Sequence, residues 1–238
     1  MKFPVIFNIF ILGLLSMALG TSTFAQSSIP MQVSPFNAIK ASAGVDVYLS
    51  MGTSESVRVE GSERDLKDLV VETKGETLHI YYKSRSDWSI FQGSMRRSAK
   101  VYVQAVELQE VSASSGADIR SENTIRGEVL AVSASSGADI RLDIQVGDLS
   151  LESSSGSDIY LSGRALSVNA VASSGSDIKA DKLSATVAML TVSSGADIRM
   201  EVLQELKARA SSGGDIKVSG NPGERDVEKS SGGSVAFR

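Results

Sequence analysis

The chain has no cysteine among its 238 residues and a single histidine, His79. The lack of cysteine excludes a disulfide framework, a thiol nucleophile, a thiolate metal site and a lipid-modified cysteine. This histidine lies on an alternating run near the start of the chain, where we expect a strand-surface residue and not a member of a catalytic triad, and one histidine cannot form a histidine-rich metal site. Stability must therefore come from an apolar core.

Aromatic residues make up 5% of the chain, and acidic and basic residues are mixed along it, with a net charge of -4. Nucleic-acid binding favours a basic face, and no basic segment is present, so nucleic acid is not an expected partner. The sequence also lacks a Gly-x-Ser-x-Gly nucleophile elbow and a phosphate-binding glycine loop. These absences predict no catalytic residue, no metal and no cofactor.

Residues 1–25 have the composition of a secretory signal peptide. Lys2 precedes an apolar stretch over residues 3–19, and Ala25 offers a small residue for cleavage. The alternative is an uncleaved membrane anchor, although the apolar run is barely long enough to span a bilayer. We predict export to the periplasm, the outer-membrane surface or the extracellular space, with no membrane span after cleavage.

The stretch over residues 114–120 reads Ser-Ser-Gly-Ala-Asp-Ile-Arg, and the same pattern recurs to the end of the chain. Its glycines are Gly116, Gly137, Gly156, Gly175, Gly195, Gly213 and, in a degraded copy, Gly232. A spacing of roughly 20 residues is typical of a solenoid, in which stacked copies bury a shared core.

Each repeat position has a predicted role. Asp-Ile-basic alternates as a strand with isoleucine inside, and Ser-Ser-Gly-small suits a corner where a Cβ would clash or a positive φ is needed. The internal column is Ile119, Ile140, Ile159, Ile178, Ile198, Ile216 and Val235. We predict an all-β fold, a right-handed parallel β-helix of about seven or eight coils with about 19–20 residues each.

Residues 26–238 are expected to form one domain, with head strands and a cap over 34–110 and repeats over 111–238. Residues 42–48 are a loose copy of the repeat and a candidate first coil. A strand over 56–60, a capped helix over 62–69 and a hairpin over 70–82 are predicted to cover the coil end. Nothing after Val235 predicts a cap, so a partner or fraying is expected there.

A candidate contact loop lies over residues 84–98. It contains Trp88, Phe91, Arg96 and Arg97, and tryptophan with arginine is favoured at recognition sites. The alternative, which we favour, is that these apolar groups fold back over the coil end, because exposed tryptophan and phenylalanine reduce solubility.

Six aspartates form a predicted column on the outer face of the repeats. They are Asp118, Asp139, Asp158, Asp177, Asp197 and Asp215. Two adjacent carboxylates could act as acid and base or share a calcium ion. Repetition favours a structural role, because an active site needs one pair made different from its neighbours.

Like charges about 4.8 Å apart repel by about 3 to 4 kcal/mol at an effective dielectric near 20. In five of the six copies the residue two positions further is basic, and the exception is Tyr160 after Asp158. Two stripes of opposite sign would cancel most of this repulsion.

The signal peptide, the head strands and the repeated Ser-Ser-Gly-[Ala/Ser/Gly]-Asp-Ile resemble the head GIN domain family of auto-transporter adhesins. The resemblance covers roughly residues 34–235. It implies a β-helix similar to pectate-lyase-like folds, without a recognised catalytic set, and a role in adhesion. The Gly-Ile-Asn tripeptide and a translocator after the repeats are both absent, so self-export is not expected.

The sequence thus predicts an exported, non-enzymatic cell-envelope protein that binds a glycan or a protein. Two alternatives stay open: a polysaccharide-active enzyme that uses paired aspartates, and a structural component that oligomerises through its coil ends. Fold alone does not choose among them.

Overall fold

The computed structural model describes residues 27–83 and 98–238. The predicted signal peptide and the residues of the candidate contact loop, Trp88, Phe91, Arg96 and Arg97, lie outside the described residues. Among the residues described, no helix is long and apolar enough to cross a membrane.

The described chain is a β-solenoid of about seven turns, with one short helix. Its strands are β1 Ser27–Met31, β2 Ala38–Ala41, β3 Asp46–Met51, β4 Ser56–Gly61, β5 Leu69–Lys74, β6 Thr77–Tyr82, β7 Lys100–Ala105, β8 Glu110–Ala113, β9 Asp118–Ser121, β10 Ile125–Ala134, β11 Asp139–Ser153, β12 Asp158–Ala172, β13 Asp177–Val192, β14 Asp197–Ala210, β15 Asp215–Ser219, β16 Glu224–Lys229 and β17 Ser234–Phe237. Helix α1 is Glu63–Leu66. The predicted all-β parallel β-helix is confirmed, while its right-handed sense stays a prediction.

The repeats stack in parallel and in register from β9 to β17. Ile140 pairs with Ile119 on one side and with Ile159 on the other, and the column continues to Val235. The six isoleucines are at most 1% exposed and Val235 is 7% exposed, so the predicted internal ladder is confirmed. β-Branched side chains stacked at the spacing of adjacent strands pack well against each other. The apolar side of each coil is therefore buried by the coils next to it.

The corners are tight turns with two consecutive residues in the left-handed region. Ser115 has φ 53° and Gly116 has φ 73°, and the Ala117 amide donates to the Ser114 carbonyl at 3.2 Å. This is the pattern of a type I′ turn, which favours glycine at its second central position. A Cβ on Gly116 would meet open space, so positive φ, and not a clash, explains the glycine.

The head supplies the first coil, as residues 42–48 indicate. Asp46 pairs with Asp118 and Val47 with Ile119, so β2 and β3 stack directly under the repeats. On the other side, β6 and β7 pair in parallel with β2 and β3. The coil formed by β2 and β3 therefore lies between two coils that come later in the chain. β6 and β7 pack on its outer side, and β8 and β9 pack on its inner side.

Antiparallel strands cover this end of the solenoid. β4 pairs with β7, β5 with β6, and β1 with β4. The predicted hairpin and capped helix are confirmed: Ser62 Oγ accepts from the Asp65 amide at 3.2 Å and caps α1. These elements satisfy the backbone edge that the outermost coil would otherwise expose.

At the opposite end, side chains of β16 reach across the coil. Arg225 follows the buried Leu206 in register, and its guanidinium lies 4.4 Å from the ring centroid of Phe237. Lys229 Nζ donates to the Val235 carbonyl at 3.3 Å. Sequence analysis did not predict these contacts at the last coil. Arg225 and Lys229 occupy positions that are aliphatic in the preceding coil, and charged residues at such positions are not a recognised signal of a cap.

We predict that Ile159→Asp lowers the free energy of unfolding by at least about 4 kcal/mol, because it places an unpaired charge inside the ladder. Ile159→Val, which keeps the branched shape, should cost only about 1 kcal/mol. Urea unfolding followed by circular dichroism measures both. Similar losses for the two variants would contradict a packed internal column.

Candidate functional site

The aspartate column is continuous and longer than predicted. Asp139 pairs with Asp118 and with Asp158, and the register runs on to Asp215. Asp46, in the first coil, adds a seventh member beside Asp118. The predicted column did not include Asp46, because residues 42–48 are only a loose copy of the repeat and residues 47–117 separate the two aspartates along the chain.

Basic side chains of the same face neutralise the middle of the column. Arg141 lies 3.0 Å from the Asp139 carboxylate. Lys179 bridges two coils, with its Nζ at 2.9 Å from Asp158 and 3.0 Å from Asp177. The predicted pairing of acidic and basic stripes is present here as direct contacts, which supports the structural interpretation of the column.

The environments of individual aspartates nevertheless differ. Burial, together with the charges of Asp139 and Asp46, raises the pKa of Asp118. Burial also acts to raise the pKa of Asp158, but hydrogen bonds from Lys179 and Tyr160 outweigh it and hold that pKa below its usual range. These two carboxylates are not neighbours, because Asp139 lies between them.

Tyr160 interrupts the basic stripe and is held by the cations on either side. Its ring centroid is 4.4 Å from the Arg141 guanidinium and 4.8 Å from Lys179 Nζ, and its hydroxyl donates to Asp158 at 2.8 Å. Cation–π contacts of this kind fix the orientation of both cations. The sequence showed that Tyr160 replaces a basic residue, but it did not predict the contacts of Tyr160 with Arg141 and Lys179.

A second aromatic cluster lies at the head end of the same stripe. Tyr48 stacks on Tyr102 with ring centroids 4.9 Å apart, and Arg58 lies 3.7 Å from the Tyr102 centroid. Arg120 contacts the Tyr48 ring at 5.4 Å and joins this cluster to the repeats. One stripe of aromatic and basic side chains thus runs from the cap into the solenoid.

A groove of about 500 Å³ opens beside Tyr160. One wall is formed by Arg141, Tyr160 and Lys179, and the other includes Asp143, Ser162 and Lys182. The backbone of the buried Leu142 and Leu161 separates the two walls. Its volume is within the range of ligand-binding clefts. Eight of its ten lining residues have polar side chains, although carbon atoms contribute most of the lining surface.

The groove lies between two places where the repeat is irregular. Arg120 pairs with Arg141 and Ile125 with Ile144, so residues 121–124 face only residues 142–143 of the next coil. Further along, Ala180 pairs with Met200 and Ser184 with Glu201, so residues 181–183 form a bulge. Bulges commonly re-aim side chains next to binding sites.

These irregularities organise the second wall of the groove. Thr124 Oγ1 donates to Asp143 at 2.5 Å, and Ser162 Oγ donates to the same carboxylate at 3.1 Å. The Asp143 amide donates to Ser121 Oγ at 2.9 Å. Asp143 is therefore held in one orientation, while the bulge places Asp181 and Lys182 at the rim.

The sequence missed the groove, although it contained a trace of it. Gly116 and Gly137 are 21 residues apart, and Gly175 and Gly195 are 20 apart, so both irregular coils are longer than their neighbours. Length alone does not say on which side of a coil the additional residues lie. The described residues contain no group of three acidic or histidine side chains able to hold a metal ion.

The candidate contact loop falls in the chain segment between β6 and β7. Ala41 and Asp46 are joined by residues 42–45, whereas the equivalent Ile80 and Lys100 are joined by residues 81–99. The segment between Ile80 and Lys100, which contains residues 84–97, is thus longer than its equivalent in the first coil. Their involvement in binding, and that of Trp88 in particular, stays a prediction.

A family model described as "putative auto-transporter adhesin, head GIN domain" matches residues 35–222. The chain belongs to this head GIN domain family. The predicted resemblance is thereby confirmed. No curated protein is similar enough in sequence to count as a relative.

Crystal structures share the solenoid of this head GIN domain at low sequence identity. A "putative adhesin" of Bacteroides fragilis has a TM-score of 0.82 at 18% identity, over 91% of this chain and 98% of the other. A "putative lipid binding protein" of Parabacteroides distasonis has a TM-score of 0.70 at 18% identity, with the same coverage. A "putative adhesin" of Parabacteroides merdae has a TM-score of 0.70 at 17% identity, over 91% and 97%. At such identities these likenesses show the fold alone.

Opposite pKa shifts predict opposite effects of two similar substitutions. The raised pKa of Asp118 means that the folded state binds its proton more tightly, so this group makes the protein less stable as pH rises through the folded pKa. Asp118→Asn should therefore stabilise the protein at pH 7, by about 0.5–1 kcal/mol.

Asp158 has a lowered pKa, so it contributes stability that is lost as pH falls through that pKa. Asp158→Asn should destabilise by about 1 kcal/mol at pH 7, and both effects should fade below the pKa values of the two groups. Denaturant unfolding from pH 3 to pH 7 measures this. A gain of stability in Asp158→Asn at pH 7 would show that repulsion still dominates the column.

The positive φ of Gly163, which follows Ser162 in β12, gives a further prediction. Gly163 has φ 109°, and an added methyl group would overlap the Ile144 carbonyl oxygen, whereas Gly156 has φ 68° and open space. Gly163→Ala should cost about 3 kcal/mol or more, and Gly156→Ala about 1 kcal/mol. Thermal unfolding of both variants tests this, and equal losses would mean that the backbone beside the groove relaxes freely.

Proposed function

We propose that this head GIN domain is an exported, non-enzymatic binding protein of the cell envelope that attaches to a surface glycan or an envelope protein. The observation that carries the proposal is the groove between two irregular coils of an otherwise regular solenoid. In repeat proteins, stacked coils supply a rigid extended surface, and departures from the repeat create the specific contact. The family description supports adhesion, and the composition of residues 1–25 supports export.

The arrangement of carboxylates disfavours the enzymatic alternative. Glycoside cleavage needs an acid and a base that flank one bond, with environments that move their pKa values apart. Asp118 and Asp158 have pKa values displaced in opposite directions, but neither lines the groove. The carboxylate at the centre of the groove, Asp143, is instead engaged by two hydroxyl groups.

The charges of β16 disfavour assembly through this end of the solenoid. Arg225 and Lys229 follow buried positions of β14, whereas Glu224, Asp226 and Glu228 follow outward ones. An antiparallel pair of β16 strands that keeps the inner faces continuous would place acid opposite acid and base opposite base. Like charges directly opposite each other destabilise a strand pair.

Binding of lipid, which the name of one structural neighbour suggests, would require a different groove. An acyl chain gains free energy from apolar walls, and it would deprive the exposed Asp181 and Lys182 of water without offering them a partner. The polar walls favour a ligand that itself forms hydrogen bonds.

Adhesion and enzymatic action separate in one experiment with the purified protein. Beads carrying the protein are incubated with immobilised bacterial envelope polysaccharides, plant polysaccharides and envelope protein extracts. In parallel, the protein is incubated with the same polysaccharides in solution, and their length is followed by size-exclusion chromatography. We expect saturable retention on at least one surface with no change in polymer length.

Shortening of a polysaccharide beyond that caused by heat-denatured protein would overturn the non-enzymatic assignment. Absence of retention on every surface would overturn the adhesin assignment.

A further inference from the structure

We propose that the groove between residues 121–124 and 181–183 is a binding site for a neutral oligosaccharide. The inference rests on the proposed function and names the class of ligand that one site would take. It is based on the polar groups of the groove that are not already paired with other groups of the protein.

Two of the groove's cations are already committed to the protein. Arg141 is paired with Asp139, Lys179 with Asp158 and Asp177, and both contact Tyr160. Arg141 and Lys179 pack against the Tyr160 ring from the two adjacent coils. The ring is therefore a rigid part of the wall and is not free to stack on a ligand. The first wall is thus preorganised, and little side-chain entropy is lost when a ligand binds.

The second wall keeps groups of both signs available. Asp181 and Lys182 are exposed, and within residues 27–83 and 98–238 they have no hydrogen-bond or ion-pair partner. Asp143 is oriented by two donors, yet its two oxygens retain further acceptor capacity. Ser121 Oγ accepts from the Asp143 amide, which leaves its proton free to donate.

This mixture selects among ligand classes. A polyanion would meet Asp143 and Asp181, and a polycation would meet Arg141, Lys179 and Lys182. An acyl chain would cover Asp181 and Lys182 without offering either a partner. A sugar hydroxyl both donates and accepts, so a neutral sugar satisfies carboxylate and ammonium groups together. Charges of both signs in one groove therefore favour a neutral glycan.

The length of the groove favours more than one sugar ring. Its lining comes from four successive coils, from Ser121 through Arg141 and Tyr160 to Lys182. At about 4.8 Å per strand, three intervals give roughly 14 Å. A chain of linked sugars lying across the coils would reach both the oriented Asp143 and the rim residues.

The test uses isothermal titration of the full protein with cellohexaose, maltohexaose and mannohexaose, and in parallel with hexagalacturonate and phosphatidylcholine vesicles. The groove variant is Asp181→Ala with Lys182→Ala, since these exposed side chains have no contact that folding requires. The control variant is Asp148→Ala with Lys217→Ala, which removes the same charges from positions outside the groove.

We expect saturable binding of at least one neutral hexasaccharide, weakened at least about tenfold in the groove variant and less than about twofold in the control. Tighter binding of hexagalacturonate or of vesicles, unchanged binding in the groove variant, or no binding of any neutral hexasaccharide would overturn the inference.

The bead assay with the groove variant separates the two proposals. If the wild-type protein and the groove variant adhere equally, the protein is an adhesin whose ligand binds elsewhere. If neither adheres, the proposed function itself is wrong.

Discussion

In-register stacking of parallel strands is the constraint on which the rest of the structure depends. Each position of the repeat meets its own copy about 4.8 Å away, so a favourable self-contact is multiplied along the solenoid and so is an unfavourable one. The isoleucine ladder through Ile159 benefits from this arrangement. In the aspartate column the same stacking places like charges next to each other, and they repel. Lys179 reduces this repulsion because it binds the carboxylates of two coils at once.

The same constraint explains why irregular coils are informative. Tyr160 departs from the repeat in residue type but keeps its register with both neighbouring coils. The insertion of residues 181–183 loses its regular pairing with the next coil. In this protein several such departures meet at one groove. The local loss of regularity is offset by contacts that organise the groove, including the two hydrogen bonds to Asp143.

Sequence reasoning predicted the periodic part of the fold well, because the periodicity itself specifies the packing. The buried column, the corner glycines, the capped helix and the hairpin all follow from local patterns. The left-handed φ of Ser115 did not, since serine seldom adopts it and only the adjacent glycine signals the turn. The placement of β6 and β7 outside β2 and β3 also escaped prediction, because strand order across a long insertion leaves no periodic trace.

The groove escaped prediction for a related reason. The polar residues that line it come from four coils, and only the three-dimensional register shows that Ser121, Asp143 and Lys182 share one surface. Asp181 and Lys182 read as an ordinary charged pair in the sequence. The Trp88 segment, which the sequence offered as a candidate contact loop, differs in being contiguous along the chain and is therefore easier to notice.

A crystal structure of the protein grown with a neutral hexasaccharide is the most direct test of the claim that binding occurs where the repeat is broken. The account predicts sugar density across the coils, in contact with Asp143 and Lys182. Density along a regular stretch of the aspartate column, or against residues 84–97 alone, would contradict it.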